Sequence, residues 1–405
     1  MKIALLGYGK EGQAAEKYFA ARGAEITKFE NFTDEEILRE DLSGYDLILR
    51  SPSVRPHEGW SSMTRYFFKH CPCPIIGVTA TKGKGTTCSF IASLLRAMGE
   101  KVYLVGNIGV PAISVLDELT ADSVVVYEMS SFQLWDLDRS PRVAVVGMIE
   151  PDHLNMHRDF DEYVMAKANI GRYQSESDYL VYYRDNADSL RIANESKAQK
   201  IAYPGVVPAE ILDAVVIPGR HNRDNAEAAV VAVACYYGKS VEEFVAENGD
   251  KIKAGLGDFK GLPHRLEFLR EINGVLYYDD NFATNAGSIR VAVEAFGGKN
   301  IVLILGGRDK TDYEDLPEIY EILTTHQNIR KVILMGESGH EIAKRYNDER
   351  FIVVESLKEA VETAKTEAEK LSDAIVLMSP AAASFDMFHD VYDRGAQFKK
   401  LVAEF

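Results

Sequence analysis

Short runs of β-branched and aliphatic residues alternate with longer amphipathic stretches along nearly all of this 405-residue chain. That alternation is the pattern of parallel sheets covered by helices, so the sequence predicts an α/β fold. The chain exceeds what one hydrophobic core usually supports. Two prolines in Cys71-Pro72-Cys73-Pro74 suit a linker, and the stretch Gly255–Gly261 before Leu262-Pro263 reads as a second boundary. Three domains are therefore expected, at 1–71, 72–261 and 262–405. The first takes strands at Ile3–Leu6, Glu25–Phe29 and Leu47–Leu49. The second takes strands at Pro74–Thr79, Val102–Val105, Ser123–Tyr127, Val143–Met148, Tyr179–Tyr183 and Lys200–Tyr203. In the third, a hairpin over Leu266–Asp280 turning at Asn273-Gly274 precedes strands at Ile301–Leu305, Lys331–Met335, Phe351–Val354 and Ala374–Met378. Helices are expected over Asp161–Tyr173, Asn225–Tyr237, Lys358–Leu371 and Asp386–Val402.

A net charge of −16 opposes nonspecific attraction to nucleic acid or to anionic membranes, so neither is an expected partner. The four cysteines are too few and too unevenly placed for a disulfide framework, which points to a reducing cytoplasm. The apolar opening Met1–Gly7 is too short for a signal peptide, and no stretch approaches the ~18 apolar residues of a membrane span. A monomer is expected.

The run Ile75–Thr79, Ala80-Thr81-Lys82-Gly83-Lys84-Gly85-Thr86-Thr87 and the apolar stretch after it read as strand, phosphate-binding loop and helix. Glycines let successive N–H groups turn toward one anion, the helix start adds its positive end, and a lysine reaches the outer phosphates. A nucleoside triphosphate is the ligand this implies; a glycine-rich turn with two solvated lysines accounts for the same spacing. Gly7-Tyr8-Gly9-Lys10-Glu11-Gly12 follows a strand and opens a helix, with Glu30 after the next strand where a ribose-binding acid would sit. That suits a dinucleotide, a mononucleotide or sugar nucleotide, or a purely structural turn.

Further polar groups gather at predicted strand ends, where open α/β sheets collect ligands. Glu128 could hold magnesium against phosphates or cap a helix. Asp152-His153 could ligate a metal, orient a base or close a turn. Asn222 is placed to cap the alanine-rich helix, and Asn225 to face a purine edge. Arg265 could meet a phosphoryl group with its planar fork.

Taken in order, these segments resemble the Mur ligases over nearly the whole chain, specifically the branch that adds D-glutamate to UDP-N-acetylmuramoyl-L-alanine. The supporting pieces are the phosphate loop, Gly106-Asn107-Ile108-Gly109, Glu128-Met129-Ser130-Ser131-Phe132-Gln133, Pro151-Asp152-His153-Leu154, Lys167, Gly219-Arg220-His221-Asn222, Leu262-Pro263-His264-Arg265, Gly306-Gly307-Arg308-Asp309-Lys310 and Ser379-Pro380-Ala381-Ala382-Ala383-Ser384. The resemblance implies a small Rossmann-like domain binding the UDP substrate, a central P-loop ATPase domain with a mainly parallel sheet, and a C-terminal Rossmann-like domain bringing the amino acid. ATP and Mg2+ would be the cofactors, and ATP would phosphorylate the substrate carboxylate before the amine attacks.

By the resemblance, Lys84, Glu128, His153, Lys167 and Arg265 carry the chemistry. ATP would meet Thr79, Ala80, Thr81, Lys82, Gly83, Lys84, Gly85, Thr86, Thr87, Asn222, Asn225, Arg265 and Asp280. Of two magnesium ions, one would fall to Glu128, with Thr86 moving in, and the second to His153 and a carbamylated Lys167. The UDP substrate would fall to Gly7, Gly9, Lys10, Glu11, Glu30, Ser53, Asn107, Ser130, Ser131 and Gln133, and the amino acid to Thr284, Lys310, Ser384 and Phe385. The sequence departs from the family where Gly85 replaces a hydroxyl residue after the lysine, where Lys82 replaces asparagine, where Phe282 replaces lysine, and at Glu11 and Ser53. The opening domain is also short. A relative with another amino-acid acceptor and a noncatalytic nucleotide-binding regulator are the alternatives.

Overall fold

The computed structural model describes residues 1–405 and places three sheets along the chain. The first domain runs β1 (Lys2–Leu6), α1 (Lys10–Ala20), β2 (Glu25–Phe29), α2 (Asp34–Ile37), β3 (Leu47–Arg50), β4 (Ser61–Ser62) and α3 (Met63–His70). Its four strands pair in parallel in the order β2-β1-β3-β4.

The second contains β5 (Ile75–Thr79), α4 (Lys84–Met98), β6 (Lys101–Gly106), β7 (Ser123–Glu128), α5 (Ser131–Leu134), β8 (Val143–Val146), α6 (Phe160–Arg172), β9 (Tyr179–Tyr183), α7 (Ala187–Glu195), β10 (Gln199–Tyr203), α8 (Ala209–Leu212), α9 (Arg220–Tyr236) and α10 (Val241–Asp258). Its order is β10-β9-β8-β5-β7-β6, parallel throughout. Strands β5, β7 and β8 are buried along their whole length, as their unbroken Val and Ile runs require of a sheet covered on both faces.

The third contains β11 (Glu267–Ile272), β12 (Val275–Asp279), α11 (Ala286–Glu294), β13 (Asn300–Leu305), α12 (Leu316–Thr325), β14 (Ile329–Leu334), α13 (Gly336–Arg345), β15 (Phe351–Val353), α14 (Leu357–Ala368), β16 (Ala374–Met378) and α15 (Val391–Ala403). The order is β11-β12-β16-β13-β14-β15, with only the β11–β12 hairpin antiparallel. That hairpin turns where Asn273 and Gly274 both take positive φ, as a tight two-residue turn needs. The α/β class, with three mainly parallel sheets in succession, is thus the one the sequence predicts.

By contact the chain divides into two compact units, residues 1–215 with 221–259 and residues 216–220 with 260–405. Within the first unit the two sheets are tied by charge. Arg50, fully buried, pairs with Asp136 and also donates to Phe132 O at 3.1 Å. Arg55 donates to Glu162 at 3.2 Å, and Arg65 to Asp138 at 2.6 Å.

Three expectations need correction. Helix α9 begins at Arg220, so Asn222 sits inside its first turn and is not its cap. The glycines at 255 and 257 lie within α10 rather than in a boundary loop, because a Cβ on Gly255 would stand 3.0 Å from the Leu94 backbone of α4. The last helix starts at Val391 instead of Asp386, capped by the Asp390 side chain on Asp393 N at 2.8 Å. No helix is long and apolar enough to cross a membrane.

Candidate active site

The phosphate loop leaves β5 at its carboxyl end and enters α4 through Gly83, whose φ of +83° is open to glycine at no steric cost. A Cβ there would also meet Asn225 Oδ1 at 2.6 Å, so α9 lies directly against the loop. Thr87 Oγ1 donates to Asn225 Oδ1 at 3.3 Å, and Asn225 Nδ2 donates to Asn222 Oδ1 at 3.4 Å. Loop residues Thr79, Ala80 and Thr81 are buried and braced: Thr79 Oγ1 donates to Met129 O at 2.9 Å, and Thr81 Oγ1 to Glu150 O at 3.0 Å. Lys84 Nζ donates to Ala80 O and Thr81 O at 2.9 and 3.0 Å. Exposed Lys82 faces Glu150 at 3.7 Å, while Gly85 and Thr86 lie half-buried in the first turn of α4.

Lys167 on α6 reaches back to the same loop and is almost wholly buried, donating to Ala80 O at 2.9 Å and Thr79 Oγ1 at 3.3 Å. Burial pushes its pKa well below the usual lysine range; Lys84 pushes it further down, and Asp152 and Glu128 oppose this. Glu128, the buried last residue of β7, is therefore in electrostatic reach of Lys167, and so is Asp152. His153 has a φ of +53°, an exposed side chain 3.5 Å from Asp152, and an edge-to-face contact with Phe132 at 5.2 Å.

His157, on the loop that carries His153, was given no role from sequence. His157 is buried, stacked on Phe132 at 5.2 Å, and hydrogen-bonded through Nε2 to Ser131 Oγ at 2.9 Å. Its other nitrogen faces Glu162 at 3.7 Å, and Glu162 binds Arg55. The loop carrying His153 is thereby anchored to the first sheet. A second histidine four residues after Asp152-His153 was the signal available in sequence.

On the first sheet, Gly7 takes a φ of +85°, and a Cβ on it would strike Ser51 Oγ at 2.2 Å. Gly9 has open space around it, and Lys10, Glu30 and Ser53 are exposed. Glu11 accepts from Gln133 Nε2 at 2.6 Å, and burial raises its carboxyl above the ordinary range against that bond and Arg50. Ser130 and Gln133 form a capping box on α5, buried Ser131 holds His157, and the Asn107 backbone donates to Glu128 O at 3.3 Å.

In the second unit, Asp280 follows β12 and is held by Ser379 Oγ at 2.8 Å and Leu266 N at 3.2 Å. Burial raises its carboxyl from 3.8 to about 7, against these hydrogen bonds and Arg265. The exposed Arg265 guanidinium lies 5.5 Å over the Phe282 ring. Thr284 and Lys310 line one cavity of about 230 Å³ with Asp309 and Asp315. Burial lowers the Lys310 pKa, Arg394 lowers it further, and Asp315 opposes both. Ser384 is buried with its Oγ unbonded, Phe385 is 70 % exposed, and neither lines that cavity.

Behind this site Arg394 of α15 is fully buried, with Nε on Asn281 Oδ1 at 2.5 Å and its other nitrogens on Asn281 O, Ala382 O and Ala383 O at 3.0–3.2 Å. Nothing in the local sequence marked it.

A parallel sheet delivering a phosphate loop, a carboxylate and a buried lysine to one edge defines a multidomain nucleotide-binding protein of the P-loop kind. The Mur ligase middle domain matches residues 78–209, and the Mur ligase glutamate ligase domain matches residues 264–381. The chain belongs to the Mur ligase family. It is 31 % identical to a UDP-N-acetylmuramoylalanine--D-glutamate ligase of Clostridium botulinum strain Okra, covering 99 % of this chain and 96 % of that one. It is 33 % identical to the ligase of the same name from Acetivibrio thermocellus over the same shares. Among solved structures, the UDP-N-acetylmuramate-alanine ligase MurC of Thermotoga maritima superposes with a TM-score of 0.63 at 17 % identity, covering 100 % of this chain and 99 % of that one. A MurF structure from Acinetobacter baumannii does so with a TM-score of 0.64 at 17 % identity, over 92 % and 89 %.

Proposed function

We propose that this chain is an ATP-dependent ligase that joins D-glutamate to UDP-N-acetylmuramoyl-L-alanine in peptidoglycan precursor synthesis. The carrying observation is near-full-length similarity to ligases of that name, together with Lys84, Glu128 and Lys167 converging on one loop. In this reading the substrate carboxylate attacks the terminal phosphorus of ATP and ADP leaves. The amine of the amino acid then attacks the acyl phosphate, and the tetrahedral intermediate collapses to amide and phosphate.

Loop N–H groups from Gly83 to Thr86 and Lys84 would hold the phosphates, Asn222 and Asn225 the adenine, Asp280 the ribose, and Arg265 the transferring phosphoryl group. Gly7, Gly9, Lys10, Glu11, Glu30, Ser53, Asn107, Ser130, Ser131 and Gln133 are assigned to the UDP substrate, with the Glu11–Gln133 bond opening to admit it. Thr284, Lys310, Ser384 and Phe385 are assigned to the amino acid, whose carboxylate would meet the Lys310 ammonium.

A magnesium ion takes oxygen ligands, and the buried Glu128 carboxylate suits one. An ammonium does not, so Lys167 fits only as its carbamate. The lowered pKa favours the neutral amine that reacts with carbon dioxide, releasing a proton. By the resemblance, Glu128 with Thr86 would hold one ion and His153 with carbamylated Lys167 a second, and both would neutralise charge on the phosphate oxygens. Intact-protein mass under bicarbonate should show the adduct, and an unmodified Lys167 with two metals still bound would refute it.

The decisive assay is phosphate release with UDP-N-acetylmuramoyl-L-alanine, ATP, magnesium and D-glutamate, omitting each in turn. No release with the complete mixture would end the ligase reading. Because Asp309 and Asp315 also line the Lys310 cavity, the panel should include a basic amino acid. Release that depends on L-lysine and ignores D-glutamate would move the acceptor assignment.

A further inference from the structure

Cys71 and Cys73 stand at the junction of α3 and β5 with their sulfurs 3.6 Å apart, and neither is fully buried. The Cys71 thiol also points to Cys73 O at 3.5 Å. Both line a cavity of about 400 Å³ whose wall includes the exposed side chains of Arg139 and Arg142 and one carboxylate, Asp138, which is paired with Arg65. The two remaining cysteines, Cys88 and Cys235, are buried in the central domain and closed to a reagent in the native state.

We propose that Cys71-Pro72-Cys73 is a dithiol modification site that reacts with small carboxylate-bearing disulfides and closes reversibly into an intramolecular disulfide. Cys71 is the attacking group. With the sulfurs in contact, an S–H donated by Cys73 favours the Cys71 thiolate and draws its pKa below the ordinary thiol value, against burial and the Cys71 thiol's own contact with Cys73 O, while the same pairing pushes Cys73 up. The Cys71 thiolate attacks one sulfur of the incoming disulfide, breaking its S–S bond and releasing one thiolate. Cys73, losing its proton to solvent, then attacks Cys71 Sγ in the mixed disulfide, and the second thiolate leaves. Both leaving groups take up protons as free thiols. The two cysteines give up two electrons and two protons, and the small disulfide is reduced to two thiols.

The cavity admits the reagent, and the arginines face its carboxylates. Only one residue separates the cysteines, so the closed ring is strained, and strained, accessible disulfides are the labile ones. The pair lies at the start of β5, and the phosphate loop at its end. Five strand residues at about 3.3 Å each keep the two roughly 17 Å apart.

The native full-length chain should be incubated with oxidised glutathione, quenched with a thiol alkylator under denaturing conditions, and mapped by mass. The expected product is about 2 Da lighter before alkylation and carries label only on Cys88 and Cys235, because exchange removes two hydrogens. Cys73→Ser should trap the mixed disulfide on Cys71, and Cys71→Ser should react at least ~10-fold more slowly, as the thiolate is the nucleophile. An uncharged hydroxyethyl disulfide should also react more slowly. The double serine variant should keep wild-type phosphate release. Four alkylated cysteines after millimolar oxidant, a wild-type chain that stops at the mixed disulfide, or equal rates in Cys71→Ser would each overturn the proposal. Equal rates for charged and uncharged disulfides would overturn the role of the arginines.

Discussion

Asp280 makes the C-terminal unit less stable as the pH rises, by an amount that can be worked out. The native carboxyl titrates at about 7 against an ordinary value of 3.8, because it is buried and its hydrogen bonds from Ser379 and Leu266 and the Arg265 charge only partly offset desolvation. Below 3.8 both native and unfolded chains hold the proton, and the contribution is fully present. Between 3.8 and 7 the unfolded chain releases its proton while the native chain keeps it, so stability falls, and above 7 the loss is complete. At about 1.4 kcal/mol per pH unit the whole effect is ~4 kcal/mol, of which ~3 kcal/mol falls between about pH 5 and pH 8. Asp280→Asn removes this titration and leaves all others in place. The stability difference between variant and wild type should therefore move in favour of the variant by ~3 kcal/mol across that interval. Hydrogen exchange of peptides from β13 and β16 in graded urea, corrected for intrinsic rates, reads the C-terminal unit separately, which matters in a chain with two units. A difference that stays constant from about pH 5 to pH 8 would refute the reasoning, since the carboxyl would then be ionised throughout.

Other outcomes are equally open to measurement. Gly83→Ala should cost ATP affinity at least ~10-fold in a binding titration, because the left-handed backbone and the 2.6 Å approach to Asn225 both resist a Cβ. Thr86→Ala should lower turnover about 10–100-fold, the scale of a lost metal contact, and an unchanged magnesium titration would remove Thr86 from that role. Arg394→Met should destabilise the C-terminal unit by ~3–5 kcal/mol, since it leaves buried carbonyls unbonded, read by the same exchange experiment. Phe282→Leu should reduce phosphate release ~2–5-fold through loss of the ring under Arg265, and Phe282→Tyr should keep it.

The central strands were legible because they are buried on both faces and so written as unbroken aliphatic runs; Ala374–Met378 needed no tertiary information, and the run Val143–Met148 overreached its strand, Val143–Val146, by two residues. The phosphate loop was legible because its constraints are local, glycine for φ and lysine for charge. Helix boundaries were read less well where local signals compete. Gly255 looks like a breaker, yet Leu94 of α4 requires a residue without a side chain there. The least legible residues were His157 and Arg394, whose partners lie 26 and 113 positions away and are set by topology rather than pattern. The Lys167 position is intermediate: an ordinary helix lysine by sequence, it becomes chemically distinct through burial against the loop after β5.

The guanidinium of Arg394 serves the loop after β12 and the loop after β16 at once, through Asn281 on one side and Ala382 and Ala383 on the other. Neither segment can be transplanted alone. An engineer who grafts either one from a relative, to retune acceptor preference, must carry over its counterpart and the helix that holds the arginine, or leave a buried cation facing an ill-fitting socket.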